Sequence, residues 1–73
     1  MSAILKELLK NVELPQQTGN AGLLSILCDE ADKSMILQLE ADELIPYSVL
    51  AETGNIIKKY LGVPSVRIYP KYA

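Results

Sequence analysis

Residues 23–40 read LLSILCDEADKSMILQLE, and this stretch decides the fold because a short polar segment divides two apolar runs. The runs cover about residues 22–28 and 34–40, and each is too short for a typical helix. The polar segment 29–33 has the composition of a hairpin loop. The stretch therefore predicts two antiparallel strands joined by a hairpin.

The second run also predicts how its strand faces the core. Apolar residues occupy alternate positions, and the set that we expect to face inward is Met35, Leu37 and Leu39. The intervening set is Ile36, Gln38 and Glu40. Because successive side chains of a strand point to opposite faces, one face of this sheet should be buried and the other mostly exposed.

A helix is predicted over about residues 47–61. Pro46 and Ser48 signal its start, and Gly62 suits a left-handed C-terminal residue. Gly54 lies in its interior, where glycine costs about 1 kcal/mol relative to alanine. Either a close packing contact requires this glycine or the helix simply tolerates it. One helical face carries the residues expected in the core: Val49, Leu50, Thr53, Ile56, Ile57, Tyr60 and Leu61.

The remaining elements lie at the two ends of the chain. Ile4, Leu5, Leu8, Leu9 and Val12 recur at helical spacing, which predicts a helix over about 3–11 with Ser2 as its N-cap. A short strand is predicted over 65–69, ending at Pro70. In it Val66 and Ile68 face one side, and Arg67 and Tyr69 the other.

The element order is therefore α-β-β-α-β. Two amphipathic helices and three strands in this order predict a two-layer α+β domain, with both helices on one face of a three-stranded sheet. The general form is KH-like. Residues 1–73 are expected to make a single small domain.

The tetrapeptide Gly19-Asn20-Ala21-Gly22 matches the G-x-x-G loop with which KH domains clamp a nucleic-acid backbone. A KH clamp lies between two helices and usually offers a basic central residue. Here the central residues are Asn20 and Ala21, and a strand is predicted to follow. The pattern is better explained as a flexible connector that enters a strand, since two glycines at this spacing occur often by chance.

Charge is unevenly distributed along the chain. Residues 1–52 contain three lysines and nine acidic residues, whereas residues 53–73 contain no acid and four cations: Lys58, Lys59, Arg67 and Lys71. This polarity either orients the domain toward a partner or forms an ordinary solvated surface. The four cations, with Tyr69 and Tyr72 for base stacking, are also the alternative nucleic-acid site. A sequence pI near 4.9 opposes strong binding of that kind.

The sequence contains no combination of residues that is typical of a catalytic site, so catalysis by this domain is not expected. It contains no histidine, and its one cysteine, Cys28, is expected to be a buried small hydrophobe. The acidic residues of the hairpin loop are expected to be solvated, so neither a metal nor another cofactor is predicted. No apolar stretch approaches the roughly 20 residues of a membrane span. Lys6, Glu7 and Lys10 interrupt what would have to be the apolar segment of a signal peptide, so we expect a cytoplasmic protein.

Recognition of another protein is the function that these observations favour. The candidate contact residues lie on and just after the last strand, and they are Arg67, Tyr69, Lys71 and Tyr72, since Tyr and Arg are enriched in binding hot spots. If strand 65–69 or 34–40 lies at a sheet edge, it could also accept a partner strand. The alternative is an edge protected by Arg67, Pro70 and Lys71.

With its elements in this order, the chain resembles the first N-terminal domain of PolC-type DNA polymerase III, the replicative α subunit of low-GC Gram-positive bacteria. Two stretches carry the resemblance: LLSILCDEADKSMILQLE at 23–40, and IPYSVLAETGNIIKKYLGVPSVRIYPKYA at 45–73. It covers nearly the whole chain and includes no catalytic signature.

The resemblance implies that the chain is the N-terminal piece of a longer polymerase. The parent would be a DNA-directed DNA polymerase, a nucleotidyltransferase with 3′–5′ exonuclease activity, whose catalytic residues and DNA contacts lie in other domains. The piece itself would tether the polymerase to replisome proteins, with the τ subunit of the clamp loader as the candidate partner.

Overall fold

The computed structural model describes residues 3–72, which form seven short elements. In chain order these are β1 (Ala3–Ile4), α1 (Leu5–Leu8), α2 (Gln16–Gly19), β2 (Gly22–Cys28), β3 (Ser34–Ala41), α3 (Tyr47–Leu61) and β4 (Ser65–Tyr72).

The four strands form one mixed sheet in the order β1-β2-β3-β4. β1 pairs with β2 and β2 with β3, both antiparallel, whereas β3 and β4 are parallel and joined through α3. The α+β class and the hairpin are confirmed. The predicted strand number and element order are corrected, because the described residues contain four strands and three helices.

The largest correction concerns the predicted helix 3–11. Its first two residues are a strand, with Ala3 opposite Leu23 and Ile4 opposite Gly22, and only Leu5–Leu8 are helical. The amide of Leu5 donates to the carbonyl of Ala21 at 2.9 Å, so this segment is held by β2 and the residues before it. An apolar run at a sheet edge can satisfy its backbone on the neighbouring strand instead of in a helix. The proposed cap, Ser2, lies outside the described residues.

The core lies between the sheet and the helices and follows the predicted alternation of β3. Leu37 is 3% exposed and Leu39 is fully buried, whereas Gln38 and Glu40 are exposed. The buried cluster consists of Leu5, Ala21, Leu37, Leu39 and Ile57. Val66 and Ile68 pack against it, which confirms the predicted phase of the last strand.

α3 has the predicted bounds, and its packing explains the interior glycine. A Cβ atom on Gly54 would lie 3.2 Å from the carbonyl oxygen of Val66, so helix and strand approach more closely here than a side chain readily allows. At the C-terminus Gly62 adopts φ 69°, and its amide donates to the carbonyl of Lys58 at 2.9 Å. This is the left-handed termination that glycine favours.

Three local expectations were wrong. Cys28 is exposed, because it ends β2 at the hairpin rather than under a helix. Tyr60 and Leu61, both expected in the core, are 50% and 43% exposed at the end of α3, where the Tyr60 ring can rest on the surface with its hydroxyl in water. β4 does not end at Pro70 but continues to Tyr72. An edge strand, which is hydrogen-bonded to a neighbour on one side, can include a proline.

One buried hydrogen bond connects α2 with α3. The hydroxyl oxygens of Thr18 and Thr53 lie 2.6 Å apart, and both residues are fully buried. Thr53 also donates to the carbonyl of Val49 at 2.8 Å, and Thr18 lies 3.3 Å from the carbonyl of Pro15. A buried hydroxyl needs such partners, so this pair fixes α3 relative to the segment before β2.

Candidate functional site

β4 forms one edge of the sheet in the part of the chain that the structure describes. It runs for eight residues and pairs with β3 on one side. The opposite edge is β1, which has only two residues. Strand 34–40, the other candidate edge, lies inside the sheet between β2 and β4. A long edge strand presents backbone donors and acceptors that a partner strand can use.

A groove of about 380 Å³ runs between α3 and this edge. α3 contributes Tyr47, Leu50, Ala51 and Gly54, and β4 contributes residues 66–69. The absence of a side chain at Gly54 lets the helix lie close to the strand, because a Cβ atom there would lie 3.2 Å from the carbonyl oxygen of Val66. The groove is therefore a product of the same close approach that requires a glycine in α3.

The groove carries the residue types that dominate protein interfaces. Tyr47 is 83% exposed and Tyr69 is 49% exposed, so both rings are available to a partner. Arg67 is the one charged residue among the described residues that line it. Tyrosine and arginine are enriched in binding hot spots, and apolar residues around them exclude water.

Three of the four predicted contact residues share the face of the sheet that the helices leave open. Arg67, Tyr69 and Lys71 alternate with Val66 and Ile68, which face the core. Their neighbours on β3 are Ile36 beside Arg67, Gln38 beside Tyr69 and Glu40 beside Lys71. The structure thus places an aromatic ring between two cations on an exposed surface.

Tyr72, the fourth predicted contact residue, has a structural hydrogen bond. The backbone amide of Ile45 donates to the Tyr72 hydroxyl oxygen at 3.2 Å, which ties the end of β4 to the loop before α3. Its side chain is still 42% exposed. A contribution to binding would have to come from the exposed part of the ring.

The four cations of the nucleic-acid alternative do not form one patch. Lys58 and Lys59 lie near the end of α3, in the helix layer, whereas Arg67 and Lys71 lie on the open face of the sheet. Arg67 and Lys71 are four positions apart along the strand, which corresponds to about 13 Å. The geometry leaves Arg67, Lys71 and the intervening Tyr69 as the part that could meet a single ligand.

Arg67 also lies close enough to the hairpin loop to act on Asp32. The pKa of Asp32 is held below its ordinary value of 3.8, chiefly because the side chain of Ser34 donates to its carboxylate. The Ser34 hydroxyl is 2.7 Å and the Ser34 amide 2.9 Å from Asp32 Oδ1. The positive charge of Arg67 contributes in the same direction.

The G-x-x-G residues form a helix end and a strand start, not a clamp between two helices. Gly19 ends α2 and is buried, while Gly22 begins β2. The ammonium group of Lys6 donates to the side-chain oxygen of Asn20 at 2.8 Å. The predicted entry into a strand is correct, but a turn of helix replaces the expected flexible connector.

The surroundings of the G-x-x-G residues oppose phosphate binding. Asn20 and Ala21 border a cavity of about 540 Å³ whose lining also includes three acidic residues, Glu40, Asp42 and Glu43. Carboxylates around a cavity repel a nucleic-acid backbone. A single lysine beside Asn20 does not offset them.

Two further findings concern residues 3–72 as a whole. The described residues include no group of three or more cysteine, aspartate or glutamate side chains placed to hold a metal ion. None of their helices is long and apolar enough to cross a membrane.

Sequence reasoning identified the strand side of the groove but missed its helix side. Tyr47, Leu50, Ala51 and Gly54 belong to a helix for which the pattern predicted only a buried face. The available signal was the interior Gly54 with the small Ala51 one turn earlier, which indicates a close approach of another element. Nothing in the sequence showed that β4 would be that element.

Comparison of the chain with protein-family models, curated protein sequences and solved structures finds no match. The function is therefore inferred from the geometry and chemistry of the site.

Proposed function

We propose that this chain is a non-catalytic protein-interaction domain that tethers a replicative DNA polymerase to other replisome proteins. The observation that carries the proposal is the β4 edge, where an eight-residue strand lies beside a groove with two exposed tyrosines and an arginine. Such an edge is suited to a polypeptide partner, because the strand can form backbone hydrogen bonds and the groove can contact side chains.

The resemblance to the PolC-type α subunit supports the replisome part of the proposal. On this reading the domain is the N-terminal piece of a longer DNA-directed DNA polymerase with 3′–5′ exonuclease activity, which works in the cytoplasm. Its partner is a replisome protein, with the τ subunit of the clamp loader as the first candidate. Contacts with DNA are made by other domains of the parent chain.

A second candidate function is weak binding of single-stranded nucleic acid. It is favoured by one observation, the placement of Tyr69 between Arg67 and Lys71 on the open face. In such a complex a base would stack on the Tyr69 ring, and Arg67 and Lys71 would contact the phosphates on either side of it. Against it, Glu40 lies directly beside Lys71, and the two lysines of α3 lie in the other layer.

A two-dimensional NMR titration of the isotope-labelled chain distinguishes the two functions. The C-terminal region of τ and single-stranded DNA are added in parallel at physiological salt. We expect τ to shift resonances of β4 and of residues 47–54, while DNA leaves them unchanged.

The opposite result would contradict the proposal. Shifts caused by DNA, centred on Arg67, Tyr69 and Lys71 and weakening steeply with salt, would instead establish the second candidate. Charge reversal at Lys59, which is exposed but outside the groove, provides the control for a general loss of positive charge.

A further inference from the structure

The two faces of β4 differ in chemistry, and this difference specifies a partner strand. On the helix side the strand presents Val66 and Ile68, which line the groove together with Ala51 and Gly54 of α3. On the open side it presents Arg67 and Lys71. In a strand added beside β4, successive side chains would point alternately toward the apolar helix side and toward the basic open side.

We propose that the groove binds an extended, acidic peptide segment that pairs with β4 as an additional strand and alternates apolar with acidic residues. The proposal rests on the function proposed above and names the chemistry of the partner at the same site. The apolar side chains of the segment enter the groove between α3 and β4, and a carboxylate of the segment lies beside Arg67.

The dimensions of the edge agree with this occupant. Adjacent strands lie about 4.8 Å apart, and directly opposed side chains have Cβ atoms about 5 Å apart. A carboxylate opposite Arg67 therefore comes within reach of the guanidinium group. Pro70 has no amide hydrogen to donate, so the pairing is expected along residues 65–69, about 17 Å of strand.

Charge complementarity is what selects an acidic segment. Residues 53–73 contain four cations and no acid, and Arg67 is the one charge among the described residues that line the groove. Asp32 lies near Arg67 and Glu40 lies beside Lys71. Both acidic residues belong to the hairpin of β2 and β3, which adjoins the paired edge of β4. Glu40 offsets the charge of Lys71 toward a carboxylate as it does toward a phosphate, so the selection of an acidic segment rests on Arg67.

The same charges oppose a second copy of this chain as the occupant. If two β4 strands paired antiparallel about Tyr69, Arg67 of one copy would lie opposite Lys71 of the other. Like charges directly opposed across a strand pair are destabilising. Cations on an edge strand also commonly prevent such self-pairing.

The probes for the test are two capped peptides of about seven residues, roughly 23 Å when extended. One alternates glutamate with valine, and the other alternates lysine with valine. Each is titrated into the labelled 73-residue chain and followed by two-dimensional NMR, with amide hydrogen exchange of β4 measured at saturation. The variants are Arg67→Glu and the milder Arg67→Gln, with Lys59→Glu as a control of equal charge change outside the groove.

We expect the glutamate peptide to shift residues 65–69 and the groove residues of α3, and to slow amide exchange along β4. Arg67→Glu should weaken this binding about five- to tenfold, because an attraction becomes a repulsion, and Arg67→Gln should weaken it less. Lys59→Glu should change it less than about twofold.

Several outcomes would overturn the inference. These are equal binding of the lysine peptide, equal loss of affinity in Lys59→Glu and Arg67→Glu, no shift with the glutamate peptide, or shifts of β4 that depend only on the concentration of the chain itself, which would indicate self-association.

The τ titration separates this inference from the proposed function. Binding of τ at another surface, without binding of the peptide, would retain the tethering function and remove the acidic strand. Binding of the peptide without τ would retain the groove and remove τ as the partner. Absence of both would remove both.

Discussion

The buried hydrogen bond between Thr18 and Thr53 offers the sharpest test of how the two helical segments are held together. The two hydroxyl oxygens are 2.6 Å apart and neither residue is accessible to solvent. Valine has nearly the same shape as threonine and lacks the hydroxyl. Replacing each threonine by valine, singly and together, therefore removes the bond with little change in packing.

The expected loss in the free energy of unfolding depends on whether the remaining hydroxyl group still has a hydrogen-bond partner. After Thr53→Val, the Thr18 hydroxyl has only the long 3.3 Å contact with the carbonyl of Pro15, and we expect a cost of about 2 kcal/mol. After Thr18→Val, the Thr53 hydroxyl still donates to the carbonyl of Val49 at 2.8 Å, and we expect about 1 kcal/mol.

The double variant should be less destabilised than the single changes together imply. When both hydroxyls are removed, no polar group is left unpaired, and such replacements are often nearly neutral. We expect a total cost of about 1 kcal/mol and a coupling free energy of about 2 kcal/mol between the sites. For a chain of 73 residues, whose unfolding free energy is about 4–11 kcal/mol, this is readily measured.

The assay is urea unfolding followed by circular dichroism for the wild type, both single variants and the double variant. The exposed pair Ser25 and Gln38, whose side chains are 3.4 Å apart, provides a matched control through alanine substitutions. Its coupling should be close to zero, as for other exposed polar contacts. If the two threonine changes were simply additive, the hydroxyls would not act as a unit, and the proposed link between α2 and α3 would be wrong.

Four further predictions concern single positions. Ile57→Asp should abolish the cooperative melt, because Ile57 is 1% exposed and an unpaired charge would be buried there; an unchanged melt would remove α3 from the core. Arg67→Glu should leave the melting temperature within a few degrees of wild type, since the side chain is exposed, and loss of folding would contradict the strand phase. Gly54→Ala should fail to yield the roughly 1 kcal/mol of helix propensity in urea unfolding, because the added Cβ approaches a β4 carbonyl at 3.2 Å; a full gain would refute the close approach. The pKa of Asp32 lies below 3.8, so its stabilising contribution is present above that pH and is lost as the pH falls through the lowered value. NMR titration of the Asp32 carboxyl should show the lowered midpoint, and Asp32→Asn should reduce the acid dependence of stability; a midpoint at or above 3.8 would exclude the hydrogen bonds.

The hairpin and the long helix could be predicted because their signals are local. Alternation in β3 places Leu37 and Leu39 in the core through the twofold period of a strand, whatever lies beyond it. Gly62 ends α3 through its own backbone conformation. The phase of β4, with Val66 and Ile68 inward, follows from the same alternation.

The N-terminal segment could not be predicted in the same way. Ile4 and Leu5 fit both a helical stripe and an edge strand, because a short apolar run does not distinguish the two periods. The choice depends on β2, some 18 residues away, whose edge pairs with Ala3 and Ile4. The exposed positions of Cys28 and Tyr60 likewise depend on where the helices cover the sheet.

The candidate site likewise has one part that the sequence predicted and one part that it did not. The outward placement of Arg67 and Tyr69 was predicted, whereas the contribution of Tyr47 and Gly54 was not. These residues come from α3, which returns along the sheet so that β4 can lie parallel to β3. A groove requires the distance between two elements, and periodicity within one element contains no information about that distance.

The sequence by itself thus determined the class of the fold, the two central strands, the long helix and the side of β4 on which the cations lie. Only the tertiary structure decided that β4 is the edge of the sheet and that α3 forms a groove beside it. The physical reason is that local periodicity assigns a face to each residue, whereas strand order and helix-to-sheet spacing are set by contacts between residues far apart in the chain.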